Sequence, residues 1–122
     1  MQLQYLDFDY SEDAEGNGSF DAMAAAAPAQ LPLLEAEVLR VLAWADKAFG
    51  GGQGPLDAGG EWDFALQGSR EVTTPLDVQW NAQAGRLDMH EAGAEASRVT
   101  LSLTLSGTPA FCAAFRDEFT ID

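Results

Sequence analysis

Ser97-Arg98-Val99-Thr100-Leu101-Ser102-Leu103-Thr104-Leu105-Ser106 is the stretch that decides the fold class. Val99, Leu101, Leu103 and Leu105 take every second position, and Thr100, Ser102, Thr104 and Ser106 fill the positions between them. A period of two sends successive side chains to opposite faces of a strand. One face is apolar and the other carries hydroxyls, so the segment predicts a strand buried on one side and wet on the other, as in an antiparallel sheet.

On the C-terminal side, Thr108 suits a helix cap and Pro109 the first helical position. Phe111, Phe115 and Phe119 then form an apolar stripe at helical spacing. On the N-terminal side, Leu87–His90 reads as a short return strand and Asn81–Arg86 as a turn. Val72, Thr74, Leu76, Val78 and Trp80 alternate with Thr73, Asp77 and Gln79, and Pro75 within that run implies an edge strand or a bulge. Trp62, Phe64 and Leu66 make a further strand, with a turn expected at Gly68-Ser69-Arg70.

The first half of the chain holds the clearest helix, residues 32–49. Leu34, Val38, Val41, Leu42, Ala45 and Phe49 recur at its period, while Glu35, Glu37, Arg40, Asp46 and Lys47 fall mostly elsewhere. Residues 50–60 form a glycine-rich loop. It has no Gly-Lys-Ser or Gly-Lys-Thr step and follows a helix, so it is not a phosphate loop. Residues 2–10 alternate as a strand, and 11–19 form an acidic loop. A short helical turn is expected at 20–27, capped by Ser19 and ended by Pro28. Together these predict an α+β fold: a single domain over residues 1–122, with an antiparallel sheet of about four or five strands and helices on one face, in the order β-α-β-β-(β)-β-α.

The charge balance narrows function. Twenty acidic residues against six basic ones give a net charge of −14. Phosphate contacts need Lys or Arg, so nucleic acid and an anionic membrane are excluded as expected partners. No secretory leader and no membrane span is read from the chain. With one Cys and one His, there is no disulfide framework, and a zinc site lacks its ligands. A cytoplasmic setting is expected, and the abundance of alanine and of Arg over Lys suggests a bacterial source.

Four groups of residues are candidates for chemistry or contact. From Asp13 to Ala24 the chain resembles an EF-hand calcium loop in part, with oxygen donors at Asp13, Glu15, Asn17 and Asp21 and a glycine at Gly18. It departs from that motif where Ala24 replaces the bidentate Glu, so it is not an EF-hand. A looser calcium site would draw on Asp7, Asp9, Asp13, Glu15, Asn17 and Asp21; the usual state of such a stretch is a solvated acidic turn. Asp7 and Asp9 share one strand face and form a carboxylate pair, with no cationic helper nearby in sequence. Cys112 lies among Ala and Phe, as a small buried hydrophobe does, and His90 falls in a turn. Trp62 and Trp80 are expected to pack in the core, where they could meet across neighbouring strands; Trp44, off the main helix stripe, is the interface candidate.

The expected function is a non-catalytic binding domain for a basic protein, as monomer or homodimer. The alternative is a carboxylate-based divalent-cation or small-ligand protein or enzyme built on the first strand and the acidic loop.

Overall fold

In the computed structural model, which describes residues 2–122, the chain runs β1 (Asp9–Glu12), β2 (Gly18–Ala26), α1 (Leu31–Ala48), β3 (Trp62–Thr73), β4 (Leu76–Asn81), β5 (Arg86–Glu91), β6 (Ala96–Gly107) and α2 (Pro109–Phe119). A 3-10 turn at Leu56–Ala58 interrupts the glycine-rich loop. The fold is α+β. A four-stranded sheet has the order β1-β2-β6-β3, and a second sheet is the two-stranded ribbon β4-β5. The strand pairs are antiparallel, and an isolated parallel bridge joins Gln53 to Trp62.

The alternation in 97–106 operates as read. Leu103 and Leu105 are buried, and they pair with Ala22 and Phe20 on β2 and with Leu66 and Phe64 on β3. Directly paired residues share a face, so Phe20, Ala22, Ala24 and Ala26 join Leu103 and Leu105 beneath the helices. The helices supply Leu34, Val38, Val41 and Ala45 from α1 and Phe111, Cys112, Phe115 and Phe119 from α2. The opposite sheet face carries Ser19, Asp21, Ser102, Thr104 and Ser106 and has no helix on it.

Three local expectations are corrected. Residues 20–26 are strand, not a helical turn. The alanines bury at every second position, and ladder bonds to β6 override alanine's preference for helix. The first strand is confined to Asp9–Glu12, because the chain before it is held by a side chain instead of a ladder. Gly68-Ser69-Arg70 lies inside β3, which is continuous from Trp62 to Thr73. Pro75 does mark a break: Thr74-Pro75 separates β3 from β4, opposite four residues, 92–95, between β5 and β6. Ala92 N–H donates to the Pro75 carbonyl across it at 3.0 Å.

The helix termini follow local chemistry. Thr108 Oγ1 accepts from Phe111 N–H at 3.4 Å, with Pro109 next in line. Glu37 departs from its expected solvent position. It is 4% exposed, and its carboxylate accepts backbone N–H bonds from Gln4 (2.8 Å), Tyr5 (2.9 Å) and Leu6 (2.7 Å). One charged side chain on α1 therefore takes the place of a strand partner for the N-terminal segment.

The junction of sheet and α2 depends on close approach. A Cβ added at Gly107 would overlap the Phe111 ring, lying 2.7 Å from its Cγ. Phe111 is fully buried and stacks on Trp62 and Phe115, with ring centroids 5.8 Å apart in both pairs. Gly107→Ala is expected to lower stability by about 2–3 kcal/mol through overpacking. Urea unfolding with an unchanged slope and a lower midpoint checks it.

Candidate functional site

A cleft of about 850 Å³ opens between the β1–β2 turn and the 3-10 turn at Leu56–Ala58. Its charged lining is Glu12, Asp13, Glu15, Asp57 and Asp63, joined by Ser11, Asn17, Ser19 and Ser106. No Lys or Arg lines it. The turn that forms one wall is organised by Asp13, whose Oδ1 accepts from Glu15 N–H at 2.9 Å and Asn17 N–H at 3.1 Å. This explains why an EF-hand-like spacing yields a tight turn: the leading carboxylate oxygen is engaged by the chain's own backbone. On the far wall, Asp63 Oδ1 accepts from Gln53 Nε2 at 2.8 Å and from Phe64 N–H at 2.9 Å. Glu15 and Asp57 are exposed.

The Tyr10 hydroxyl donates to Glu12 Oε2 at 2.7 Å. That bond to a carboxylate, reinforced by desolvation, pushes the Tyr10 pKa up to about 12. The Arg116 guanidinium stands 4.6 Å from the centre of the Tyr10 ring.

The fold divides the cation candidates. Asp13, Glu15 and Asn17 belong to the cleft. Asp7, Asp9 and Asp21 line a separate depression of about 530 Å³ on the open sheet face, with Ser102 and Thr104. Asp9 and Asp21 are directly paired across β1 and β2, a repulsive arrangement eased by the Thr104 hydroxyl, which donates to Asp21 Oδ1 at 2.7 Å. Among the described residues, no three His, Cys, Asp or Glu side chains come together to hold a metal ion. The six candidates do not converge on one ligand sphere.

Cys112 is buried in α2, where its thiol donates to the Gly107 carbonyl at 3.4 Å. Burial pushes its pKa up, which disfavours the thiolate a nucleophile needs. His90 lies on β5, with Nε2 3.2 Å from Asp77 on the exposed ribbon. The tryptophans also part company. Trp62 is buried, and its indole N–H has no hydrogen-bond partner. Trp44 packs on Phe49, Phe111, Phe115 and Phe119 at centroid distances of 5.6–6.2 Å. Trp80 is not in the core and does not meet Trp62: it pairs with Leu87 in the ribbon and is 76% exposed. The exposed indole of this chain is therefore Trp80, while Trp44 is engaged by the core aromatics.

Glu12, Asp57 and Asp63 are cleft residues that the sequence did not single out. They come from two distant segments, Glu12 from β1 and Asp57 with Asp63 from the stretch entering β3, and strand order, with β1-β2 and β3 flanking β6, brings them to one end of the sheet. Among the described residues no helix is long and apolar enough to cross a membrane. Comparison with known proteins finds no matching family model, and no curated protein or solved structure with significant similarity.

Proposed function

We propose that this chain is a non-catalytic interaction domain whose acidic cleft receives a basic segment of a partner protein. The observation that supports it most is the spread of Glu12, Asp13, Glu15, Asp57 and Asp63 around one open cleft without a basic neighbour in its lining. Carboxylates that converge suit a point ion; carboxylates dispersed around a concavity suit several separated cations, as along an Arg- or Lys-rich segment. The net charge of −14 adds long-range attraction, which raises the rate of encounter. A reducing compartment such as the cytoplasm suits the unpaired thiol of Cys112.

The test is titration with an arginine-rich peptide and with a neutral peptide of equal length. Only the basic peptide is expected to bind, more weakly as salt rises. The double variant Glu15→Gln/Asp57→Asn, at two exposed positions, is expected to weaken binding by about tenfold, each lost charge pair contributing on the order of 1 kcal/mol or less. Equal affinity for variant and parent would refute the assignment of the cleft. A rise in melting midpoint with millimolar calcium would favour the divalent-cation reading instead.

A further inference from the structure

The ribbon β4-β5 has two unlike faces. Register places Leu76, Val78, Trp80, Leu87 and Met89 on one side, with Glu91 at its end opposite Leu76, and Asp77, Gln79, Asn81, Arg86, Asp88 and His90 on the other. The polar side is internally paired, Arg86 with Asp88 at 2.9 Å and His90 with Asp77 at 3.2 Å. The five apolar side chains are all exposed, from 49% at Val78 to 76% at Trp80. A lone two-stranded ribbon is at best marginally stable in water, so an apolar face on one calls for a cover.

The four-stranded sheet also leaves apolar side chains exposed. Phe64, Leu66 and Val72 on β3 lie on the helix side of the sheet and remain exposed. Between β3 and α1 runs a groove of about 330 Å³, its lining mostly aliphatic (Leu31, Val38, Leu39, Leu66, Val99 and Leu101) with Glu35 and Arg70 among it. Together the eight exposed side chains of the ribbon and β3 present on the order of 800 Å² of apolar surface, close to the share of one partner in a standard interface.

Charge indicates which partner. Of the twenty acidic residues, six lie between Trp62 and Gly107 and fourteen elsewhere; the six Lys and Arg divide three and three. The segment that bears the ribbon thus carries −3 and the rest of the chain −11. α1, the other wall of the groove, adds only −1 (Glu35, Glu37 and Asp46 against Arg40 and Lys47), so two copies that meet through β3–β6 and α1 bring together the weakly charged parts, whereas two that met through the remainder, at −10, would repel strongly. β3 is also an edge strand, bonded within the sheet only to β6.

We infer that the occupant of this face is a second copy of the chain, in a two-fold homodimer. The ribbon of each subunit covers the groove between α1 and β3 of the other. The contact is isologous, so ribbon and groove are each used twice. The acidic clefts lie outside it, and the dimer does not depend on what the cleft binds.

Sedimentation equilibrium across micromolar concentrations tests it. The parent is expected to show twice the 13.0 kDa chain mass, with the dimer tightening as salt screens the net charge. That salt response is opposite in sign to the one expected for peptide in the cleft, so failure of either proposal is read independently. Trp80→Glu on the ribbon and Leu66→Glu in the groove are each expected to raise the dimer Kd by at least about tenfold. Both positions are exposed, and far-UV circular dichroism and the urea midpoint of the monomer confirm that each variant folds. Gln79→Glu, on the polar face of the ribbon, is expected to leave the mass unchanged apart from a small charge effect. A parent that stays at 13.0 kDa throughout, or a folded Trp80→Glu variant that dimerises like the parent, would overturn the inference.

Discussion

Glu37→Ala is expected to unfold about 3–4 kcal/mol more easily than the parent, a drop of roughly 10–15 °C in melting midpoint for a chain of this length. The loss comes from three backbone donors. Gln4, Tyr5 and Leu6 direct their N–H groups at one buried carboxylate, and Leu6 itself is 4% exposed. Bonds to a charged acceptor contribute about 1.5–3 kcal/mol each, and water that enters the gap restores only part of that. Glu37→Gln gives a graded control. Its carbonyl oxygen can keep the bonds now made to Oε1 by Tyr5 and Leu6, but its amide N–H₂ then faces the Gln4 N–H where Oε2 now accepts. A loss of about 1–2 kcal/mol is expected, the cost of one unmade bond and one unsatisfied donor. Chemical denaturation of the three proteins checks the order. Alanine and parent with equal midpoints would remove the carboxylate from any role in holding the N-terminal segment.

Phe115→Ala is expected to cost about 3–5 kcal/mol. Phe115 is fully buried and is the hub of the aromatic core. Phe8, Phe20, Trp44, Phe111 and Phe119 surround it at centroid distances of 4.6–5.8 Å. Truncation removes both the transfer free energy of the ring and its edge and face contacts, and rings anchored on three other segments and on α2 itself cannot collapse into the gap. Phe115→Leu keeps most of the volume and is expected to cost about 1–2 kcal/mol. Urea unfolding followed by Trp fluorescence measures both, and the near-ultraviolet dichroism of the alanine variant should weaken as Trp44 loses a fixed neighbour. If alanine proved no worse than leucine, the packing account would fail.

The elements that could be read from sequence share a property: their period is written in residues of contrasting polarity. In β6, Leu alternates with Thr and Ser; in α2, three phenylalanines stand four apart; in α1, the aliphatic stripe carries the helix. β2 was not legible because Ala occupies both faces, buried at 22, 24 and 26 and exposed at 25, and alanine carries little polarity signal. Its state is set by pairing with β6, 73–89 residues away in sequence. Gly68 misled in another way. It reads as a turn but lies in a ladder against Leu101, and a Cβ there would stand 3.0 Å from that side chain. Glu37 gave no sign of burial because its donors come from 31–33 residues upstream. Of the acidic loop expected at 11–19 only 13–17 is loop, since Ser11 and Glu12 belong to β1 and Gly18 and Ser19 to β2, and the cleft it helps form was not legible, because Asp57 and Asp63 approach it only through the order of strands.

That order also has a consequence during synthesis. β6 is the last strand to be translated and sits between β2 and β3. A nascent chain paused before Ala96 has both flanking strands but nothing to join them, and its alanine and leucine edges stand open to proteases and to other chains. Closure of the four-stranded sheet on the ribosome must wait until β6 has emerged, so premature termination upstream of it yields a product in which β3 has no partner in that sheet.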